Sequence, residues 1–230
     1  MTTTDKVLKP MRPIRSYVKR IGRMTKSQKN AISTAGSQYI VEYSANSKIN
    51  LTQIFDQTKP IVLEIGFGMG ENLIHQAQNN PDKNFIGIDV HEPGLGTCCA
   101  QAMDLGLENI RLICHDAIEV LQGAEDHSIE NVFILFPDPW HKKKHNKRRL
   151  IQASFIHLLS QKMKAKGLLH IMTDWSEYAD HIVATMEQSP VFQDVSTEET
   201  DFAENRVSSK FERRGLNKGH QVYAGVFRRD

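Results

Sequence analysis

From Pro60 onward the chain alternates short apolar runs with amphipathic stretches of helical period. Ile61 to Ile65, Phe85 to Asp89, Ile110 to Cys114, Val132 to Phe136 and Leu168 to Thr173 are nearly continuous apolar segments of strand length, the pattern of strands covered on both faces. Between them Glu71 to Asn79, Pro93 to Leu105, Ala117 to Leu121 and Lys147 to Lys164 have helical character, and a further helix is predicted near Trp175 to Gln188. Strands and helices in alternation predict a parallel sheet with helices on both faces. Val191 to Val195 and Gln221 to Phe227 are strand-like with no helix between them, so they are expected to pair antiparallel at one edge of a mostly parallel, seven-stranded α/β sheet. The first thirty residues are polar, lack sustained periodicity and contain Pro10 and Pro13. They predict a flexible arm over residues 1–30, followed by a single domain over 31–230.

The chain has 230 residues and a net charge of only +2. The distribution is more informative than the total. Residues 1–30 hold nine Lys and Arg against Asp5 alone, and Lys142 to Arg149 holds six more, so two basic clusters sit on an otherwise acidic body. That pattern suits a polyanion. No apolar run approaches the roughly 20 residues of a membrane span, and the basic start lacks an apolar signal segment, so a soluble, cytoplasmic protein is expected. Cys98, Cys99 and Cys114 are odd in number and without C-x-x-C spacing, which suits neither a disulfide framework nor zinc. His141 and His145 stand four apart, but among lysines that would repel a metal, so no metal site is predicted.

Candidate chemistry begins at Leu63-Glu-Ile-Gly-Phe-Gly-Met-Gly-Glu71, which leaves a strand and opens a helix. Gly66, Gly68 and Gly70 fall where the backbone turns tightly and a ligand can approach closely. The spacing is G-x-G-x-G rather than the G-x-G-x-x-G of dinucleotide enzymes, and a glycine triplet alone also suits a plain strand-to-helix turn. Asp89 ends the second strand, where an acid can accept the hydroxyls of a ribose; Glu64, Asp116 and Asp138 occupy corresponding strand ends. Asp116 with Glu119, and Asp174 with Glu177, are also spaced as helix capping boxes. The glycines and acids together resemble the class I methyltransferases that use S-adenosylmethionine, a Rossmann-like fold. A nicotinamide-binding domain is the alternative that the glycine spacing disfavours.

Pro137-Asp-Pro-Trp140 follows the fourth strand and leads into Lys142-Lys-Lys-His-Asn-Lys-Arg-Arg149. Two prolines fix φ on either side of Asp138, Trp140 offers a stacking surface, and the cations suit phosphates. This stretch resembles the signature of the bacterial tRNA (guanine-N7-)-methyltransferase family. Arg15 to Lys26 is similar to its basic N-terminal motif, and Ser209-Lys-Phe-Glu-Arg-Arg-Gly215 to its C-terminal one, with Asp89 standing where many members have Glu and Ser209 where Thr is usual. The resemblance implies methyl transfer from S-adenosylmethionine to N7 of a tRNA guanosine, in the variable loop, by a monomer or homodimer. By motif, it implies that Glu64, Gly66, Gly68, Gly70, Asp89, Asp116 and Asp138 border the cofactor, with Asp138 also catalytic. It further implies that Lys142, Asp174, Ser209, Lys210, Phe211 and Glu212 meet the substrate base, and that Lys144, His145, Asn146, Lys147, Arg148 and Arg149 hold the RNA. A protein that keeps this fold and binds RNA without turnover is the alternative of a different class.

Overall fold

Each predicted apolar run is a strand. The computed structural model describes residues 15–17, 22–198, 207 and 221–230. Strands β1 (Ile61–Ile65), β2 (Asn84–Asp89), β3 (Ile110–Cys114), β4 (Ile129–Leu135) and β5 (Met163–Thr173) run parallel. The edge strands β6 (Phe192–Asp194) and β7 (Tyr223–Arg229) pair antiparallel as expected, with β7 against β5 as well. The seven strands lie in the order β3-β2-β1-β4-β5-β7-β6. The chain therefore works outward from β1 to β3 and then returns past β1 to β4. That reversal opens a crevice at the carboxyl ends of β1 and β4, the place where open α/β sheets bind ligands.

Helices α2 (Glu71–Asn79), α3 (Glu92–Asp104), α4 (Ala117–Gly123), α5 (Ala153–Lys162) and α6 (Ser176–Glu187) cover the two faces. Strand alternation sorts the core. Ile61, Leu63 and Ile65 join one cluster with Phe155, Tyr178 and Ile182, while Val62 joins another with Leu73, Leu95 and Cys98. Glu64 consequently faces the second cluster. Among the described residues no helix is long and apolar enough to cross a membrane.

Three segments differ from the pattern. Helix α1 (Lys26–Tyr39) was not signalled, and it crosses the boundary expected at residue 30. Its start is a capping box: Thr25 Oγ1 accepts from the Gln28 N–H (3.2 Å) and Gln28 Oε1 accepts from the Thr25 N–H (2.8 Å). Its buried face is Ala31, Ala35, Gly36 and Tyr39, and the Tyr39 hydroxyl donates to the Ala102 carbonyl of α3. So small a stripe gives little periodic signal. The helix predicted over Lys147 to Lys164 is split into a 3₁₀ helix, Lys143–Arg148, and α5, because Arg149 is extended (φ −55°, ψ 136°). Strand β4 stops one residue before Phe136, whose φ is +53°.

Helix α3 is seated on the glycine loop. A Cβ at Gly94 would collide with the Gly68 carbonyl, so only glycine lets the helix approach this closely. Gly94→Ala should lower stability by about 1–3 kcal/mol in urea unfolding, despite the better helix propensity of Ala. An unchanged midpoint would mean that the helix does not rest on the loop.

Candidate active site

The loop after β1 carries three left-handed residues, Gly66 (φ +78°), Gly68 (φ +58°) and Gly70 (φ +83°). The Gly66 N–H donates to the Ile88 carbonyl (2.8 Å), which ties the loop to β2. The Asp89 carboxylate does more: Oδ2 accepts from the Gly68 N–H (2.8 Å) and Oδ1 from the His91 N–H (3.0 Å). One side chain thus fixes the loops after β1 and β2 together. Beneath, a Cβ at Gly70 would strike Cys98 Sγ, whereas among the described residues nothing lies within 4 Å of a Cβ built at Gly66 or Gly68. The loop is backed on one side and open on the other.

Glu64 is 3% exposed and accepts a hydrogen bond from Asn72 Nδ2 (2.8 Å) in the first turn of α2. Burial, and secondarily the Asp89 charge, push its carboxyl up to about 7 against the lowering effect of Asn72. Asn72 is a neighbour that sequence reasoning missed; its place one turn into the helix after the glycines was the available signal.

Asp116 ends β3 as expected, and its Oδ1 accepts from the Ile118 N–H (2.9 Å), capping α4. The capping box with Glu119 does not form, because Glu119 pairs with His115 Nε2 instead (2.6 Å). Burial and then the Asp116 charge raise the Tyr17 phenol.

Residues 15–17 reach the turn after β4. Trp140 Nε1 donates to the Ser16 carbonyl (2.9 Å). Arg148 Nε donates to the Arg15 carbonyl (3.0 Å) and Nη2 to the Tyr17 carbonyl (3.3 Å), with the guanidinium 4.0 Å from the Trp140 ring centroid. Trp140 is therefore a clamp for the N-terminal segment, with one ring face covered by Arg148, rather than the open stacking surface that was expected. The turn itself is strained: Phe136 (φ +53°) and Trp140 (φ +47°) bracket Pro137, Asp138 and Pro139, and a left-handed residue other than glycine costs about 1–2 kcal/mol. Asp138 is exposed at its tip.

The basic run after it is not uniform. Lys142, Lys143, Lys144 and Lys147 are exposed. Asn146 turns its side-chain amide to the carbonyls of Trp140 (3.1 Å) and Lys142 (3.2 Å). Slight desolvation and then the cations of Lys144, Arg148, Lys142 and Lys147 hold His145 below the ordinary imidazole range, so it adds little charge at neutral pH. Arg149 is 4% exposed and directed inward, which removes it from the expected RNA-gripping set. Its guanidinium is used by the fold, donating through Nε to the Pro139 carbonyl (2.9 Å) and through Nη1 to the Glu177 carbonyl (3.3 Å).

Asp174 follows the end of β5 and is partly buried. The predicted capping box with Glu177 is not the start of α6, whose N-cap is Trp175 with no side-chain bond. Instead Thr173 Oγ1 accepts from the Trp175 N–H (3.3 Å). Ser209, Lys210, Phe211 and Glu212 lie outside the described residues. Glu64, Asp89, Asp116, Asp138 and Asp174 thus stand at the carboxyl end of one sheet, with the exposed lysines beyond Asp138.

Comparison with known proteins agrees with this arrangement. A family model described as a putative methyltransferase matches residues 58–225. A tRNA (guanine-N(7)-)-methyltransferase of Yersinia enterocolitica is 44% identical over 223 residues, 95% of this chain and 92% of the relative. One from Psychromonas ingrahamii is 47% identical over 225 residues, 96% of this chain and 91% of the relative. Among solved structures, the 16S rRNA methyltransferase KamB superposes with a TM-score of 0.55 at 14% identity, covering 92% of this chain and 97% of that one, a likeness of fold. With its glycine loop, strand-end acids and Pro137–Trp140 turn in place, the chain belongs to the family of tRNA (guanine-N7-)-methyltransferases.

Proposed function

We propose that this chain methylates N7 of a guanosine in the variable loop of tRNA, with Asp138 as its catalytic residue. The observation that carries the assignment of Asp138 is the strained turn at the end of β4, which holds that residue exposed at its tip just before the exposed lysines that begin at Lys142. S-adenosylmethionine supplies an electrophilic methyl on a positively charged sulfur. The residues present fit it: Gly66 and Gly68 leave open space over their backbone, and Glu64, Asp89 and Asp116 offer acceptors for a ribose and an ammonium.

Guanine N7 has a lone pair and no proton, so no general base is required. The protein's task is positioning, which can supply about 7–11 kcal/mol of barrier lowering. Positive charge develops on the guanine ring as N7 is alkylated. Asp138 stabilises that charge and accepts from N1–H or the exocyclic amine, orienting N7 toward the methyl group. Lys142, Asp174 and the segment Ser209 to Glu212 complete the base pocket, while Lys144 and Lys147, together with the basic N-terminal arm, hold the backbone. Arg148 serves the backbone indirectly, by keeping residues 15–17 at the rim.

The raised carboxyl of Glu64 adds a pH signature. In the unfolded chain it ionises near its ordinary value of 4.5, and in the native protein near 7. The native state therefore holds the extra proton between these values. Its contribution to stability is full below about pH 4.5 and is lost as pH rises toward and through 7.

Incubation with labelled S-adenosylmethionine and unmodified tRNA should yield 7-methylguanosine on nucleoside analysis; a different methylated nucleoside would overturn the guanine-N7 reading. Asp138→Asn should lower kcat by about 100- to 1000-fold while cofactor binding and stability change little, and near-normal turnover would remove Asp138 from catalysis. Lys144→Ala and Lys147→Ala should each flatten the log–log salt dependence of tRNA binding by about 0.7–0.9; an unchanged slope refutes a phosphate contact. Replacing Glu64 by Gln should leave stability near pH 4 almost unchanged and raise it by roughly 3 kcal/mol at pH 8, measured by urea unfolding without ligand. Equal effects at both pH values would show that Glu64 does not titrate in this way.

A further inference from the structure

We infer that Arg149 is a positioning residue for methyl transfer, acting through the Pro137–Trp140 turn rather than through the RNA; this rests on the reading of Asp138 given above. Sequence places Arg149 at the end of a run of cations, where a phosphate contact would be the ordinary expectation. Its side chain is instead buried, and burying a guanidinium costs several kcal/mol unless its donors are used.

Two of those donors reach main-chain carbonyls in separate segments, one in the turn after β4 and one at the start of α6, which follows β5. Nε takes the carbonyl of Pro139, the residue immediately after Asp138 (2.9 Å). Nη1 takes the carbonyl of Glu177 in the first turn of α6, three residues beyond Asp174 (3.3 Å). The guanidinium also lies 5.0 Å from the ring centroid of Tyr178, whose hydroxyl accepts from the Ile151 N–H (3.2 Å). Arg149 is thus a cross-brace between the two loops that carry Asp138 and Asp174.

Both acceptors belong to the backbone, so the brace acts on where the turn after β4 and the start of α6 stand. The turn needs such a brace. Phe136 and Trp140 are held in left-handed conformations that persist only when surrounding contacts over-determine them. Lysine cannot substitute, because a single ammonium on a flexible stem lacks the planar fork that spans two carbonyls.

The test uses the full-length protein and four variants: Arg149→Lys, Arg149→Gln, Asp138→Asn and Arg149→Lys combined with Asp138→Asn. Rates at saturating S-adenosylmethionine and tRNA are divided by the number of S-adenosylmethionine-binding sites from calorimetry, which removes unfolded protein from the comparison. Arg149→Lys should lower kcat per site by about 10- to 100-fold, the scale of a small misplacement of a reacting group. Arg149→Gln, which keeps a single NH2 donor group in place of the guanidinium fork, should fall in the same direction and replaces Lys if that variant folds poorly. The salt dependence of tRNA binding should not change. Added to Asp138→Asn, the Arg149→Lys substitution should cost little more, since both act on one element.

A flatter salt dependence would overturn the inference in favour of a direct phosphate contact. An unchanged kcat per site in both Arg149 variants would reduce Arg149 to a stabiliser of the fold, and fully additive losses with Asp138→Asn would show that it does not act through Asp138. A slow Asp138→Asn with an unimpaired Arg149→Lys overturns only this inference. Normal turnover by Asp138→Asn overturns the reading of Asp138 on which it rests.

Discussion

The Asp89 carboxylate, accepting one N–H from the loop after β1 and another from the loop after β2, is the contact on which the arrangement of the glycine loop depends. A glycine loop with three left-handed residues has a large conformational entropy to lose and few side chains with which to offset it. Charge-assisted bonds to a carboxylate are about twice as strong as neutral ones, so a single acid can hold what the loop's own packing cannot. Below, α3 packs so closely that a Cβ at Gly94 would collide with the Gly68 carbonyl, so the loop backbone lies between helix and acid.

The turn after β4, which the proposed function assigns to the substrate, is built on a different principle. It has no regular secondary structure and no glycine, yet two of its residues are left-handed. Two adjacent arginines with separate tasks hold it. Arg148 lies along the surface, covering Trp140 and binding the carbonyls of Arg15 and Tyr17, so that the N-terminal segment is joined to the turn. Arg149 points into the protein and joins the turn to α6. The extended backbone at Arg149, which breaks the predicted long helix, is what lets neighbouring side chains part in this way.

This explains what the sequence could and could not reveal. Strands buried on both faces must be apolar along their whole length, so five parallel strands and the acids at their ends were legible from residue order alone. Helix α1 was not, because it packs on α3 through alanine and glycine and leaves almost no apolar stripe. The inward turn of Arg149 was equally hidden. Nothing local separates it from Arg148; the difference lies in carbonyls 10 and 28 residues away that tertiary structure brings to it. The role of Trp140 was misread for the same reason, since its indole partner, Ser16, is 124 residues distant.

Charge placement connects the two halves of the site. The acids occupy the crevice and the exposed lysines its rim, a separation that would repel a polyanion from the cofactor pocket while retaining it outside. In the proposed reaction the guanine is neutral before methyl transfer and becomes cationic only as N7 is alkylated. A carboxylate next to the ring then costs little in the ground state and contributes most when the charge appears. Rigid placement is the remaining requirement, because electrostatic stabilisation of this kind depends on the acid being in position before the charge develops. In the proposed reaction that requirement is met by bracing the turn from inside through Arg149 and from the surface through Trp140 and Arg148, by bonds to main-chain carbonyls.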